Sequence, residues 1–415
     1  MTRRMTRREF LRFALGSSAM AAAGMVAGCI SGKTRILPVS GSSGGLTQYL
    51  PLVMNPETQP IPTPNPTPTT PPAANRVVHV WDDQATSWNF SSGWYGDFVS
   101  QARVNEMTER GLKALTGKAT IAEAWQSLLP GYSAGKGIAI KVNFNNCWGD
   151  CNEITNRIDA LAEPVNALVS GMLLAGVQAQ DIWIYDALRP IPNRFRSRMV
   201  NPNVQIFDSG VCGTAAGFSS AEESATLHFN HAPLTTRQLT DVLVNCTYLI
   251  NMPILKDHGI SAVSLGFKNH YGSIDCVLCN DGDYLHRLID PENPAYSSSY
   301  NPLVVINQNP NIRGKTVLVV GDGLFGALGN TTYAPSRWAS FGNASPNSLF
   351  FSRDPVAVEC VMFDILNAEP IWHPRRGETE DDHLVLAAAG GMGSYERADP
   401  WLDTYTLIDY SRIEI

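Results

Sequence analysis

The chain has 415 residues, 44% hydrophobic and 9% aromatic, with a formal net charge of −7. That is the composition of an ordinary soluble globule with one large core or two small ones. The acidic balance speaks against a nucleic-acid-binding surface, and no nucleic-acid partner is expected.

The chain opens with Thr6-Arg7-Arg8-Glu9-Phe10-Leu11-Arg12, an uncharged run from Phe13, and then Val26-Ala27-Gly28-Cys29. The paired arginines resemble a twin-arginine export signal, and the Val-Ala-Gly-Cys ending resembles a lipobox in which Cys29 becomes the lipidated first residue. The uncharged run is shorter than the roughly 20 residues that a transmembrane helix needs. Residues 1–28 are therefore expected to be a signal read by the twin-arginine export machinery. The mature protein is expected to be lipid-anchored on the periplasmic or outer-surface face of a bacterial membrane. Residues 29–75 are rich in Pro, Ser, Gly and Thr and cannot bury a core. Their alternating prolines, Pro60 to Pro72, favour an extended tether.

From residue 76 to 415 strands and helices alternate, which predicts an α/β fold: a mixed or mostly parallel sheet covered by helices, in a single large domain. Short apolar runs predict strands at residues 77–81, 137–144, 181–187, 204–207, 248–255, 316–320 and 349–351. Helices are predicted at 99–115, at 121–129 with Thr120 and Glu123 as a capping box, and at 164–175 with Pro164 in the first turn. Another starts at Asp354, whose carboxylate can cap the free amides ahead of Pro355.

Gly321-Asp322-Gly323-Leu324-Phe325-Gly326 fits a dinucleotide fingerprint. The loop chemistry that follows, Gly329-Asn330-Thr331-Thr332 and then Pro335, lacks the helix such a site requires. The chemically dense stretch is Asn251-Met252-Pro253-Ile254-Leu255-Lys256-Asp257-His258, followed by Gly266-Phe267-Lys268-Asn269-His270-Tyr271-Gly272. An apolar strand delivers Lys256 and His258 to its end, and Lys268 and Asn269 follow closely. Cationic and imidazole groups at strand ends suit an anionic substrate or a metal.

These segments, with Lys141-Val142-Asn143, Val320-Gly321-Asp322-Gly323 and Asp354-Pro355-Val356-Ala357-Val358-Glu359, resemble the DUF362 family of uncharacterised proteins across about residues 137–366. The resemblance implies a fold and a site but no activity. Some relatives carry a ferredoxin-like module with C-x-x-C-x-x-C spacing, which this chain lacks. Lys256-Asp257-His258 is also loosely similar to the Lys-Pro-His segment of lactate-racemase-type proteins, which use a nickel pincer cofactor; Asp257 replaces the proline.

Cys147 and Cys151 follow the Lys141 strand, and Cys276 and Cys279 follow Asn269. If both strand ends share a cleft, four thiolates could hold an iron-sulfur cluster or a divalent metal. Disulfides, formed locally or between the two loops, and free thiols are the alternatives. Apart from Cys29 there are seven cysteines, so at least one is unpaired. Two function classes stay open. One is a redox or metal-dependent enzyme acting on a small anionic substrate. It would use Lys141, Lys256 and Lys268 to neutralise charge, His258 for proton transfer or metal binding, Asn269 beside them, and Asp322 as a ligand or an orienting carboxylate. The other is a non-catalytic lipoprotein that binds an anion or a partner with the same lysines.

Overall fold

In the computed structural model, which describes residues 73–231, 234–275, 284–329, 334–372 and 381–415, the apolar runs of the sequence become strands. In chain order these are β1 Arg76–Trp81, β2 Ile138–Lys141, β3 Ile182–Tyr185, β4 Gln205–Asp208, β5 Thr214–Ala215, β6 Thr226–His231, β7 Leu234–Gln238, β8 Tyr248–Asn251, β9 Ile254–His258, β10 Ala262–Val263, β11 Thr316–Ala327, β12 Ser348–Ser352 and β13 Asp409–Glu414. The main sheet runs β13-β1-β12-β11-β8-β2-β3-β4-β5, with β9 and β10 attached beside β11. From β11 to β5 all neighbours are parallel, whereas β12 is antiparallel to both β1 and β11. The sheet is thus mixed and mostly parallel, in an α/β architecture.

Side-chain alternation sorts each strand between two cores. Ile138, Ile140, Ile182, Ile184, Ile250, Leu318 and Val320 meet helices α1 Gln101–Thr116, α2 Ile121–Leu128 and α3 Ala162–Leu174. Ala139, Tyr185, Leu249 and Val319 face the other way. On that face lie α4 Gly266–Asn269, α5 Tyr284–Ile289, α6 Pro302–Gln308, α7 Pro355–Asn367 and α8 Asp382–Ala389.

The helix signals operate as chemistry demands. Thr120 and Glu123 form a reciprocal capping box. The Asp354 carboxylate accepts from Val356 N and Ala357 N at 2.9 and 2.8 Å, with Pro355 opening the helix. α1 stops at Gly117, whose φ of 68° is the left-handed conformation that glycine adopts without strain.

Two expectations change, and one edge strand is new. The run 248–255 is two strands: Pro253 has no amide to donate, so β8 ends and β9 resumes further along β11. The strand expected at 316–320 continues through Gly321 to Gly326 as β11, so the glycine-rich stretch pairs within the sheet and is no phosphate loop. The parallel edge strand β13 has no counterpart among the sequence expectations.

Candidate functional site

β8, β2 and β3 lie side by side, and their carboxyl ends carry Asn251, Lys141 and, one residue past β3, Asp186. Lys141 follows Ala139 onto the α4 face of the sheet. α4 is laid across this edge by Phe267, which is buried in the core, and it brings Lys268 and Asn269 over the strand ends. Glu359 of α7 fixes α4 from behind. One carboxylate oxygen accepts the Phe267 amide at 2.7 Å, and the other pairs with His383 Nε2 at 2.8 Å.

A chain of asparagines connects the parts. An ammonium only donates and a carbonyl only accepts, so the direction of the chain is set at both ends. Lys256 Nζ donates to Asn143 Oδ1 at 2.9 Å, Asn143 Nδ2 to Asn269 Oδ1 at 3.0 Å, Asn269 Nδ2 to Asn251 Oδ1 at 2.7 Å, and Asn251 Nδ2 to the Gly266 carbonyl at 2.9 Å. Lys141 Nζ joins at Asn269 Oδ1, 3.4 Å, and pairs with Asp186 Oδ2 at 3.3 Å. All four asparagine and lysine positions that start this chain are buried. Satisfied throughout, such a network holds a single geometry.

In front of it opens a cleft with about 590 Å³ of empty space, its mouth included, lined by Lys141, Asn143, Asp186, Arg189, His258, Lys268, Asn269, Tyr271 and His286 among others. Gly272 belongs to the wall because nothing larger fits: a Cβ there would lie 2.7 Å from Lys141 Nζ and 2.9 Å from Asp186 Oδ1. His258 and His286 stack with ring centroids 5.6 Å apart. Lys268 Nζ donates to His286 Nε2 at 2.9 Å and sits 4.0 Å above the Tyr271 ring. His258 Nδ1 accepts the amides of Ile260 and Ser261 at 3.0 and 3.2 Å, so the neutral ring carries its proton on Nε2. At the mouth the Arg189 guanidinium lies 3.7 Å over the Trp148 ring.

Burial dominates the electrostatics. It lowers the pKa of Lys141, against the pull of Asp186. It lowers that of Lys256 to about 8, with Asp159 and Asp186 opposing and Lys141 adding to the drop. An anion in the cleft would restore what the ammonium groups lose on leaving water.

Of the residues expected at the site, Lys141, His258, Lys268 and Asn269 line one cleft. Lys256 stands behind it: its ammonium is enclosed and spent on Asn143. The residues therefore do not fit a pincer-cofactor role for Lys256-Asp257-His258, which would need both ends of the segment in the cleft. Asp322 does not join the lysines. Its neighbours in alternation, Leu318, Val320 and Leu324, belong to the core under α1–α3, the face opposite Lys141. There its carboxylate accepts the Leu324 amide at 3.1 Å, and burial, with a contribution from Glu163, raises its pKa to about 7.

The expected four-thiolate site also changes. Cys151 is bonded to Cys212, 61 residues away, a pairing that leaves no Cys151 thiolate for a cluster. Cys147 is a buried thiol whose pKa is raised, first by burial. Cys276, Cys279 and Cys29 lie outside the described residues. Among the described residues no group of three or more His, Cys, Asp or Glu is placed to hold a metal ion.

A family model described as a domain of unknown function (DUF362) matches residues 138–364, more than half of the chain. The chain belongs to the DUF362 family. No curated protein matches it. The matched region of this DUF362 protein spans the asparagine chain, the cleft lining and Glu359, so the site sits inside the family domain.

Sequence reasoning passed over Asp186, Arg189, Asn251 and His286. Asp186 and Asn251 carried a usable signal: each is a polar residue at or just past the end of an apolar strand, as Lys141 is on β2. Arg189 and His286 carried none, since only the fold brings α5 against His258.

Proposed function

We propose that this is an exported, lipid-anchored protein whose cleft binds a small anionic ligand. The observation that carries the reading is the sign of the lining. Lys141, Arg189 and Lys268 face a space that, among the described residues, is bordered by one carboxylate, Asp186. The oxygens of Asp186 are already engaged by Lys141 and by the amides of Phe144 and Leu188. A carboxylate or phosphate at the carboxyl ends of parallel strands would meet these cations together with the Asn143 and Asn269 amides. Export is supported by the paired arginines ahead of the uncharged run and by the Cys151–Cys212 bond, since disulfides persist in oxidising compartments. The four-thiolate site that would have favoured a redox cluster loses Cys151 to the disulfide.

Calorimetric titration of the full chain with inorganic phosphate and with oxalate tests the cleft. Arg189→Ala with Lys268→Ala should weaken binding at least about tenfold, the loss of one to two charge-assisted contacts. Unchanged affinity would remove the assignment. For export, Arg7→Lys with Arg8→Lys should strand the precursor in the cytoplasm, and Cys29→Ala should release soluble protein from the membrane. Normal export of the double lysine variant would refute the twin-arginine route. A second reading, acid-base catalysis on the bound anion, is favoured by the fixed tautomer of His258 beside His286. In that case His258→Ala would abolish turnover of a bound anion while leaving its affinity within about threefold.

A further inference from the structure

A second cavity, about 580 Å³ with its mouth, is lined by Asn251, His270, Asn307, Ile312, Arg313, Thr316, Arg353, Pro355 and Met392. We propose that it is a separate site for a small organic oxyanion, carboxylate or phosphate, held between Arg313 and Arg353 above His270.

Among the described residues no carboxylate lines this cavity. Asp354, between the lining residues Arg353 and Pro355 in sequence, turns its oxygens to the amides of Val356, Ala357 and Ser394. Among the described residues Arg313 donates to the carbonyls of Gly390 and Gly391 alone. No ion pair or hydrogen bond engages the Arg353 side chain among the described residues, so the two guanidiniums have no protein anion between them. Arginine forks are suited to planar or tetrahedral oxyanions.

The floor supplies the independent observation. His270 is 1% exposed, and its Nδ1 pairs with Ser273 Oγ at 3.0 Å. Ser273 Oγ pairs in turn with the Tyr185 hydroxyl at 2.9 Å. Tyr185 is fully buried and has no other acceptor among the described residues, so leaving its proton undonated would cost about 1–3 kcal/mol. The phenol therefore donates to Ser273, and Ser273 donates on to Nδ1. That leaves the His270 proton on Nε2, which has no partner among the described residues, on a ring that lines the cavity. Burial, with Lys141 nearby, lowers the pKa of His270 to about 3, which keeps the ring neutral in this role. Two guanidiniums and one imidazole N–H thus offer donors to the cavity; the Asn307 amide nitrogen is spent on the Phe267 and Leu303 carbonyls, which leaves its own carbonyl as an acceptor in the lining. Asn251, which lines this cavity, is hydrogen-bonded to Asn269, which lines the cleft, so the two sites share one wall.

Phosphate binding to the full chain, followed by phosphorus NMR, separates the two sites. Arg189→Ala with Lys268→Ala disables the cleft alone. That variant should still bind one inorganic phosphate, and adding Arg353→Ala, a side chain with no partner to lose, should weaken the remaining binding about tenfold. His270→Phe, which keeps the ring and loses the Nε2 proton, should weaken it as well. If the cleft-disabled protein binds no phosphate, or if Arg353→Ala leaves its affinity unchanged, the site is refuted. Binding that ignores His270→Phe would be attraction to surface charge alone and would also overturn it. The cleft fails separately, if the Arg353→Ala protein binds phosphate no more weakly after Arg189 and Lys268 are replaced.

Discussion

Glu359 is the residue whose replacement should loosen the cleft without touching it. The side chain is 1% exposed and satisfies two buried donors, the Phe267 amide at 2.7 Å and His383 Nε2 at 2.8 Å. Glu359→Ala leaves both without an acceptor. At about 1–3 kcal/mol for each buried unsatisfied group, the cost is about 2–6 kcal/mol, a large part of the roughly 5–15 kcal/mol that keeps a domain folded. Glu359→Gln is the decisive companion. Its carbonyl can still accept from Phe267, while its amide can donate to a His383 ring that shifts its proton to Nδ1, so it should cost about 1 kcal/mol or less. Urea unfolding followed by circular dichroism measures both, and titration with phosphate reads the consequence at Lys268 and Asn269, which ride on α4. The expected result is a large loss of stability and affinity for Ala and near-native behaviour for Gln. If Gln destabilises as much as Ala, buried charge and not acceptor count is what α4 needs. If Ala costs under about 1 kcal/mol, the carboxylate does not hold the helix.

Gly272→Ala should abolish anion binding while leaving the circular dichroism spectrum native, because the added methyl enters the space of Lys141 Nζ and Asp186 Oδ1; retained binding would show that this pair can give way. Cys151→Ser opens a loop of 61 residues and should cost about 4 kcal/mol in the chain-entropy account, read as a lower urea midpoint for the oxidised protein and no change between the two under reductant. Asp322, raised to about 7 from about 3.9 in an unfolded chain, holds its proton more firmly when folded, so its contribution to stability is present below pH 4 and lost as pH rises to about 7. Asp322→Asn should remove that decline from the urea midpoints between pH 4 and 8, and parallel curves for the two proteins would contradict the assignment.

The parts of this fold that were legible in the sequence are those whose cause is local. Apolar runs of four to six residues had to be strands covered on both faces, and Thr120, Glu123 and Asp354 announced helix starts through hydrogen bonds that span three residues. Lys141, His258, Lys268 and Asn269 were found because each ends or follows such a strand. Asp322 was misplaced for a different reason. Alternation assigns it to the side of Leu318 and Val320, but nothing within β11 says which side Lys141 takes on β2. That relation is fixed only by the parallel register of β11, β8 and β2, a long-range property of the sheet. The same limit hid the disulfide. Cys147 stands four residues from Cys151 in sequence, yet the partner is Cys212, which arrives from the loop beyond β4 because β4 lies two strands from β2. Spacing weighs the entropy of closing a loop; it carries no information about which loops the sheet order has already brought together, and here the sheet order decides.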